Sequence, residues 1–552
     1  MKNISFKVWK LKIITLSCII LIILGLGYLY YIGILRIEVP RAKKDIIGII
    51  KIEGPILSSY TTYQYIDTIN YAITNKSVKA IVLIVNSPGG YADLIEQIYL
   101  DLLKLKKNKP LVTSIISALS GGYYISVAAD YIYVHPTSMV GNIGVIGIGP
   151  PILIPSEQVI ETGVHKVTGF SQILFPYNLS HALDNFVSAV ENGRGNRLKL
   201  SLTQLKRGTI FIGSEAIKVG LVDEIGSLQE AISKAAKEAN LIEYDVVELT
   251  KKFIYYPFWI ERNSNQTFNN WENLTIETLN KFHPPPAIYY LYLPPNIFTK
   301  SLLLTESQMK NINENFFIGG NEENIVLVDI SHGNKISWWE LDILIEELVK
   351  RNITVRFVSQ WNELNSTLNN ASALIVASPT KLYNINESKR IENFVHNGGI
   401  LLLFFDPAYE YIDIQTLLEP INSLSTQFGL TFAKGYLYNE NEYYGIYRNI
   451  YVRNFAECSL TQNLTSLIFF TATHIYSLNK GIAWTSKETY SSVAERTNNY
   501  TVIALVKENG TVVAFGDLTF LREPYCYLGD NYKLIQNLAS IIAKAKNLYY
   551  RS

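Results

Sequence analysis

The sequence predicts an α/β protein built as two folded units behind an N-terminal membrane-spanning helix. Three observations predict it. Residues 13–35 form an uncharged apolar run, short β-branched runs alternate with amphipathic helical stretches over residues 45–240, and the same alternation returns over 321–550. A chain of 552 residues is too long for one ordinary core, and a prior of roughly 150 residues per domain suggests two or three units.

The first element is the apolar run IITLSCIILIILGLGYLYYIGIL, preceded by a short polar tail at residues 1–12. About 23 residues at 1.5 Å each span roughly 35 Å, enough for a hydrocarbon core. A cleaved signal peptide is the competing reading, but the run exceeds the usual apolar core of about 7–15 residues and no A-x-A-like site follows it. Tyr28, Tyr30 and Tyr31 suit an interfacial aromatic belt, and the helix would partner membrane lipid. Lys2, Lys7, Lys10 and Lys12 on one flank balance Arg36, Arg41, Lys43 and Lys44 on the other, so flanking charge sets no orientation. N-x-S/T sequons recur beyond the helix, at Asn265, Asn273, Asn365, Asn463 and Asn509, and place the body on the extracytoplasmic side of a single-pass membrane protein.

Composition excludes other classes. Apolar residues make up 48% and charged residues 18%, a globular balance rather than a disordered one. A net charge of +1 leaves no basic face for nucleic acid, which is dropped as a partner. Cys18 lies inside the apolar run, and Cys458 and Cys526 have no His or Cys near them at metal-ligand spacing, so no metal is expected. Those two cysteines would pair only if the region is exported and their Cα atoms fall within about 4.4–6.8 Å.

In the first unit, IIGIIKI, AIVLIV (80–85) and PLVTSII (110–116) read as parallel strands, separated by helical stretches after Thr62 and from about residue 92 to 104. Sites in such sheets lie at the carboxyl ends of strands, and two glycine-rich turns fall there. Asn86-Ser87-Pro88-Gly89-Gly90 follows AIVLIV and leaves backbone N–H groups approachable, as an oxyanion site requires, although Pro-Gly-Gly is also an ordinary turn. Ser120-Gly121-Gly122-Tyr123-Tyr124 follows PLVTSII and opens a helical segment, where a serine is either a nucleophile or an N-cap. Two such turns after consecutive strands put Gly89 or Gly90 opposite the Gly121 N–H around one reacting atom. A serine hydroxyl needs a base: His135, His165 and His181 are available, and so is Lys166, provided burial keeps its amine neutral.

NSPGG, SGGYYISVAAD, VGNIGVIG (140–147), GVHKV (163–167) and GTIFIGSEAIKVGLVDEIGS (208–227) together resemble signal peptide peptidase A, the S49 peptidases related to the ClpP and crotonase folds. The resemblance covers residues 45–240. It implies a Ser–Lys dyad, with Ser120 at the nucleophile position and Lys166 at the general base, and an oxyanion hole of Gly89 or Gly90 with Gly121, each donor contributing about 3 kcal/mol in the transition state. It also implies a homo-oligomer in which serine and lysine can come from neighbouring copies, hydrophobic peptide substrates such as signal-peptide remnants, and no metal or organic cofactor. The runner-up readings are a protease of stomatin-like membrane proteins and a catalytically silent peptide-binding membrane scaffold.

Residues 241–320 carry Pro284-Pro285-Pro286 and Pro294-Pro295 and read as an irregular connector. Beyond them NIVLVDIS, a helix over 338–351, TVRFVS, ALIVAS, a helix near 387–396, GGILLLFFD and TVVAFGDLTFL (511–521) with Asp530-Asn531 resemble class I glutamine-amidotransferase-like domains. No cysteine sits at a nucleophile elbow, which makes this a binding or assembly module rather than an amidotransferase. Asp329-Ile330-Ser331-His332-Gly333, Asp406 and Asp517 lie at strand ends, where turn and capping chemistry is the favoured reading over a ligand site.

Overall fold

Residues 46–53, 78–87 and 111–119 are apolar on both sides because both faces of their sheet are covered, the pattern of a buried parallel sheet. The computed structural model describes residues 2–32, 44–151, 162–250, 274–293, 316–318, 324–334, 336–407 and 414–549.

In chain order the first unit runs α1 (Lys2–Tyr31), β1 (Ile46–Glu53), α2 (Ser59–Thr74), β2 (Val78–Ser87), β3 (Gly89–Tyr91), α3 (Ala92–Lys106), β4 (Leu111–Leu119), α4 (Gly121–Ser126), β5 (Tyr131–Val134), β6 (Met139–Gly141), β7 (Ile146–Ile148), α5 (Phe175–Arg194), β8 (Ile210–Ile212), β9 (Glu224–Ile225), β10 (Asp245–Glu248) and β11 (Ala287–Leu291). The main sheet has the order β10-β1-β2-β4-β5-β9, parallel throughout, and β6 and β8 extend it from β4. Alternation along the strands divides the core. Ile47, Ile49, Ala80, Val82 and Ile84 face the helix Leu228–Glu238, whose Ala231, Ile232, Ala235 and Ala236 are buried on them. Ile50, Ile52, Ile81, Leu83 and Val85 face α2 and α3. In α3 the buried Ile95, Ile98, Tyr99, Leu102 and Leu105 recur at helical spacing, with Asp93 in the first turn and Lys104 and Lys106 in the last complementing the helix dipole.

Several expectations are corrected. The tail at residues 1–12 is helical from Lys2, since no proline or glycine separates its lysines from the apolar run. Trp9–Leu29 is the stretch long and apolar enough to cross a membrane, with mean hydropathy 2.3, and residues 33–35 of the predicted span lie outside the described residues. The first unit does not stop at residue 240, because β10 pairs in parallel with β1. The connector is not uniformly irregular: besides β10 it holds the helix Ile276–Phe282 and β11, which form when partners distant in sequence supply their contacts. Asn265, Asn273 and Pro294-Pro295 lie outside the described residues. Cys458 and Cys526 are unpaired thiols: Cys458 Sγ lies 3.2 Å from Thr461 Oγ1, while Cys526 is buried in the core of the second unit, where burial pushes its thiol up to about 12.

The second unit is a mixed sheet. Strands 354–358, 325–329, 371–377, 400–404 and 511–515 are parallel neighbours in that order, 316–318 pairs antiparallel at one edge, and 501–507, 481–484 and 454–455 continue antiparallel at the other. The predicted helix over 338–351 is a 3-10 turn at Trp338–Glu340 followed by the α-helix Asp342–Val349. Arg207 of the first unit forms a two-pronged pair with Glu440 of the second, at 2.6 and 2.8 Å, and the Tyr177 and Tyr444 rings meet edge-on at 5.0 Å.

Tyr123, in the first turn of α4, donates to Leu221 O at 2.7 Å from a fully buried position and so ties the turn between β4 and α4 to the chain entering β9. Tyr123→Phe leaves that carbonyl without its partner. The expected cost is about 1–3 kcal/mol, read as a fall of about 2–4 °C in Tm per kcal/mol for a unit of this size; an unchanged Tm would show that the bond contributes nothing net.

Candidate active site

The two glycine turns lie side by side at the carboxyl ends of β2 and β4. A Cβ on Gly122 would stand 2.3 Å from Ser87 O, and one on Gly89, where φ is +98°, would stand 2.5 Å from Gly121 N, so only glycine permits the approach. The first turn is braced by Ser87, whose Oγ donates to Gly54 O at 2.7 Å and accepts the Gly89 N–H at 3.1 Å.

Ser120 occupies the junction between β4 and α4 with φ 50° and ψ −119°, outside the ordinary regions for a residue with a side chain. Its N–H is donated to Gly141 O at 2.8 Å, and its carbonyl accepts the N–H of Tyr123 at 2.9 Å and of Tyr124 at 3.0 Å. The side chain makes no capping bond, and among the described residues its hydroxyl has no hydrogen-bond partner. An N-cap serine uses its Oγ on the helix and sits in the extended region. Ser120 does neither: its φ is positive and its side chain makes no capping bond. Gly121 is the first helical residue, so its N–H has no carbonyl inside the helix to bond.

Lys166 lies on an exposed turn, its own N–H donated to Gly163 O at 2.8 Å. The single chain therefore does not bury it, contrary to the expectation that its amine is shielded. The turn meets the chain entering β11: a Cβ on Gly169 would come 3.0 Å from Pro286 Cγ. His165 and His181 are exposed, and no hydrogen bond joins Ser120 to any histidine among the described residues.

In the second unit the structure brings Asp329 and His332 together: Asp329 accepts from Ser331 N and Oγ, from Tyr383 Oη at 2.5 Å and from His332 Nδ1 at 2.8 Å. Burial lowers the His332 imidazole value, but the Asp329 and Glu387 carboxylates more than offset this and hold it above its ordinary value. Asp517 is pushed well up by burial and by the charge of Asp406, and accepts the N–H groups of Phe470 and Thr519. The bonds of Ser331 to Asp329 and of Thr519 to Asp517 are local, whereas Tyr383 to Asp329, His332 to Glu387 and Phe470 to Asp517 join separate elements. A cavity of about 720 Å³ in this unit is lined by His474, Tyr476, Trp484 and Tyr500 among others, none of them from the first unit.

Sequence reasoning missed Tyr290 on β11, whose carbonyl oxygen lies against both glycine turns, and Glu96 on α3, which accepts the Tyr290 hydroxyl. The available signal was the strand-like run AIYYL, whose flanking prolines made it read as connector.

Residues 103–242 match Peptidase family S49. The chain is 34% identical over 215 residues to Protease 4 of Haemophilus influenzae, covering 35% of each, so it spans about a third of the length of that relative. It is 30% identical over 202 residues to a Synechocystis protein that carries a protease name, covering 33% of this chain and 72% of that one. Among solved structures, a mutant of the membrane-bound stomatin-specific protease 1510-N in complex with a substrate peptide is similar at 20% identity and a TM-score of 0.25, covering 35% of this chain and 80% of that chain.

Proposed function

Because the chain belongs to peptidase family S49, we propose that it is a serine endopeptidase, anchored in a membrane by its N-terminal helix with the body on the extracytoplasmic side, that cuts hydrophobic peptides such as signal-peptide remnants. The observation that carries this reading is Ser120: a serine held in a strained turn, released from capping, beside two glycine turns that meet at its backbone.

In this reading the Ser120 hydroxyl attacks a peptide carbonyl while the neutral Lys166 amine takes its proton. The amine then protonates the departing nitrogen, and water hydrolyses the acyl-enzyme. The carbonyl oxygen, as it gains charge, is held by the Gly121 N–H together with Gly90 or Gly89; the Gly89 amide already has Ser87 Oγ as an acceptor. Lys166 requires burial that one chain does not give it. Val164 and Val167 flank it at 88% and 49% exposure, an apolar turn suited to being covered by a second copy, in keeping with a homo-oligomer. The second unit is read as an amidotransferase-like binding or assembly module without that chemistry.

The test is turnover of a fluorogenic apolar peptide by the detergent-solubilised full chain. Lys166→Ala is expected to lower kcat by about 10²–10⁴-fold, the usual contribution of a general base. Unchanged turnover in that variant would move the base elsewhere, and no turnover of any peptide by any form of the chain would sink the protease reading.

A further inference from the structure

Beside the turn of Ser120 lies a strand of the same chain. β11 runs between β3 and β7, antiparallel to both. Tyr290 stands opposite Gly90 and Leu291 opposite Gly89, Tyr292 N–H continues the ladder to Pro88 O at 2.9 Å, and on the other side Ala287 and Tyr289 stand opposite Ile148 and Ile146. Neither β3 nor β7 belongs to the main sheet, so each offers a free edge to an extended chain, the arrangement by which a sheet captures a peptide through its main chain.

The register puts one carbonyl at the reacting position. Tyr290 O lies where side chains on both glycine turns would have to be: 1.9 Å from a Cβ on Gly89 and 2.7 Å from a Cβ on Gly121, the residue that follows Ser120. Alternation sends the Tyr290 side chain the other way, into a fitted pocket. Its ring stacks on Tyr124 at 5.1 Å and packs on Phe186 at 5.2 Å, its hydroxyl donates to Glu96 Oε1 at 2.8 Å and Ala182 O at 3.0 Å, and it is 0% exposed.

We propose that β11 is an intramolecular occupant of the peptide groove, seated as a substrate strand with Tyr290 at the residue whose carbonyl faces Ser120, so that the groove is shut while β11 is in place and, when open, selects extended peptides with a tyrosine at that position. This rests on the protease reading of Ser120. Main-chain pairing is indifferent to sequence, so selection falls to the side-chain pocket. The one hydroxyl proton of a tyrosine is shared between Glu96 and Ala182 O at the pocket's end, whereas a phenylalanine offers the Glu96 carboxylate no donor, and a site built to bond a hydroxyl discriminates strongly against its absence. A tethered strand also acts at an effective concentration in the millimolar range, against which a free peptide at micromolar concentration competes poorly.

The test is binding of a labelled AIYYLYL peptide, the sequence of residues 287–293, to the full-length detergent-solubilised chain carrying Ser120→Ala, followed by fluorescence anisotropy. Adding Tyr290→Ala is expected to tighten binding at least tenfold, and Tyr290→Phe, which removes only the hydroxyl and safeguards the result if the alanine variant folds poorly, to tighten it less. A peptide with Asp in place of its fourth residue should bind none of these chains. Equal affinity with and without the Tyr290 substitutions, or equal affinity for the Asp peptide, overturns the proposal. Restoring Ser120 separates the two readings. Tight peptide binding by the Tyr290→Ala chain without turnover sinks the protease reading and leaves the occupant, whereas brisk wild-type turnover that neither Tyr290 substitution raises sinks the occupant and leaves the protease.

Discussion

Ser120→Ala is expected to lower peptide turnover by about 10⁴-fold or more, because removing a nucleophile that acts with its base as one unit leaves only binding and the oxyanion donors. The backbone at Ser120 makes a second substitution informative. With φ at 50° and ψ at −119°, the residue stores strain of about 1–3 kcal/mol that alanine would keep, because it too has a Cβ. Glycine adopts this conformation freely, at an entropic cost of about 0.5–1 kcal/mol from the unfolded chain. Ser120→Gly should therefore abolish turnover and raise stability by about 1 kcal/mol, since strain at a reacting residue is a cost that function retains. Both variants are measured by kcat on an apolar fluorogenic peptide and by thermal unfolding, in the wild-type chain and in the Tyr290→Ala chain, where β11 is weakened as a competitor. Turnover within tenfold of wild type in Ser120→Ala would remove Ser120 from the chemistry.

The other large effect is structural. Arg194, at the end of α5 and 1% exposed, donates to both oxygens of Asp223 at 2.8 and 2.9 Å and to Gly220 O at 2.9 Å. Asp223 also accepts Ile132 N–H at 2.8 Å and Arg197 Nη1 at 3.1 Å, so the pair locks α5 to β5 and to the chain entering β9. Because α5 carries Phe186 and Ala182, this lock also positions the wall of the Tyr290 pocket. Arg194→Met leaves the buried Asp223 carboxylate with only Arg197 and the Ile132 N–H and is expected to destabilise the first unit by about 3 kcal/mol.

The same pair sets an acid limb. Burial alone would raise the Asp223 carboxyl, but the bonds and charge of Arg194, the Ile132 N–H and the charge of Arg197 more than offset it and hold the group below the carboxylate range. A folded value below the unfolded one contributes stability that is complete above the ordinary aspartate value of about 3.9 and is lost as pH falls through the folded value. Wild-type Tm should fall over that acid window, and Arg194→Met should flatten the fall. An acid limb of equal steepness in both chains would assign it to other carboxylates.

The turns that make up the candidate site were legible in the chain itself. Strands buried on both faces announce themselves as unbroken β-branched runs, and a glycine pair directly after such a run marks a tight strand-to-helix turn, so the turns at Gly89-Gly90 and Ser120-Gly121 were located by local pattern, while the roles proposed for them came from the family resemblance. The apolar helix followed from its length and hydropathy alone. Tertiary structure decided what local pattern leaves open. Whether Ser120 caps its helix or presents its hydroxyl depends on the φ and ψ imposed by the approach of Gly122 to Ser87, 35 residues earlier in the chain. β10 and β11 form because β1, β3 and β7 offer edges some 140 to 200 residues away, pairings whose free energy is invisible in a window of ten residues, and the prolines beside AIYYL point locally to loop. The surroundings of Lys166 are likewise set by what packs over its turn rather than by the turn's own residues, because burial is a property of neighbours in space.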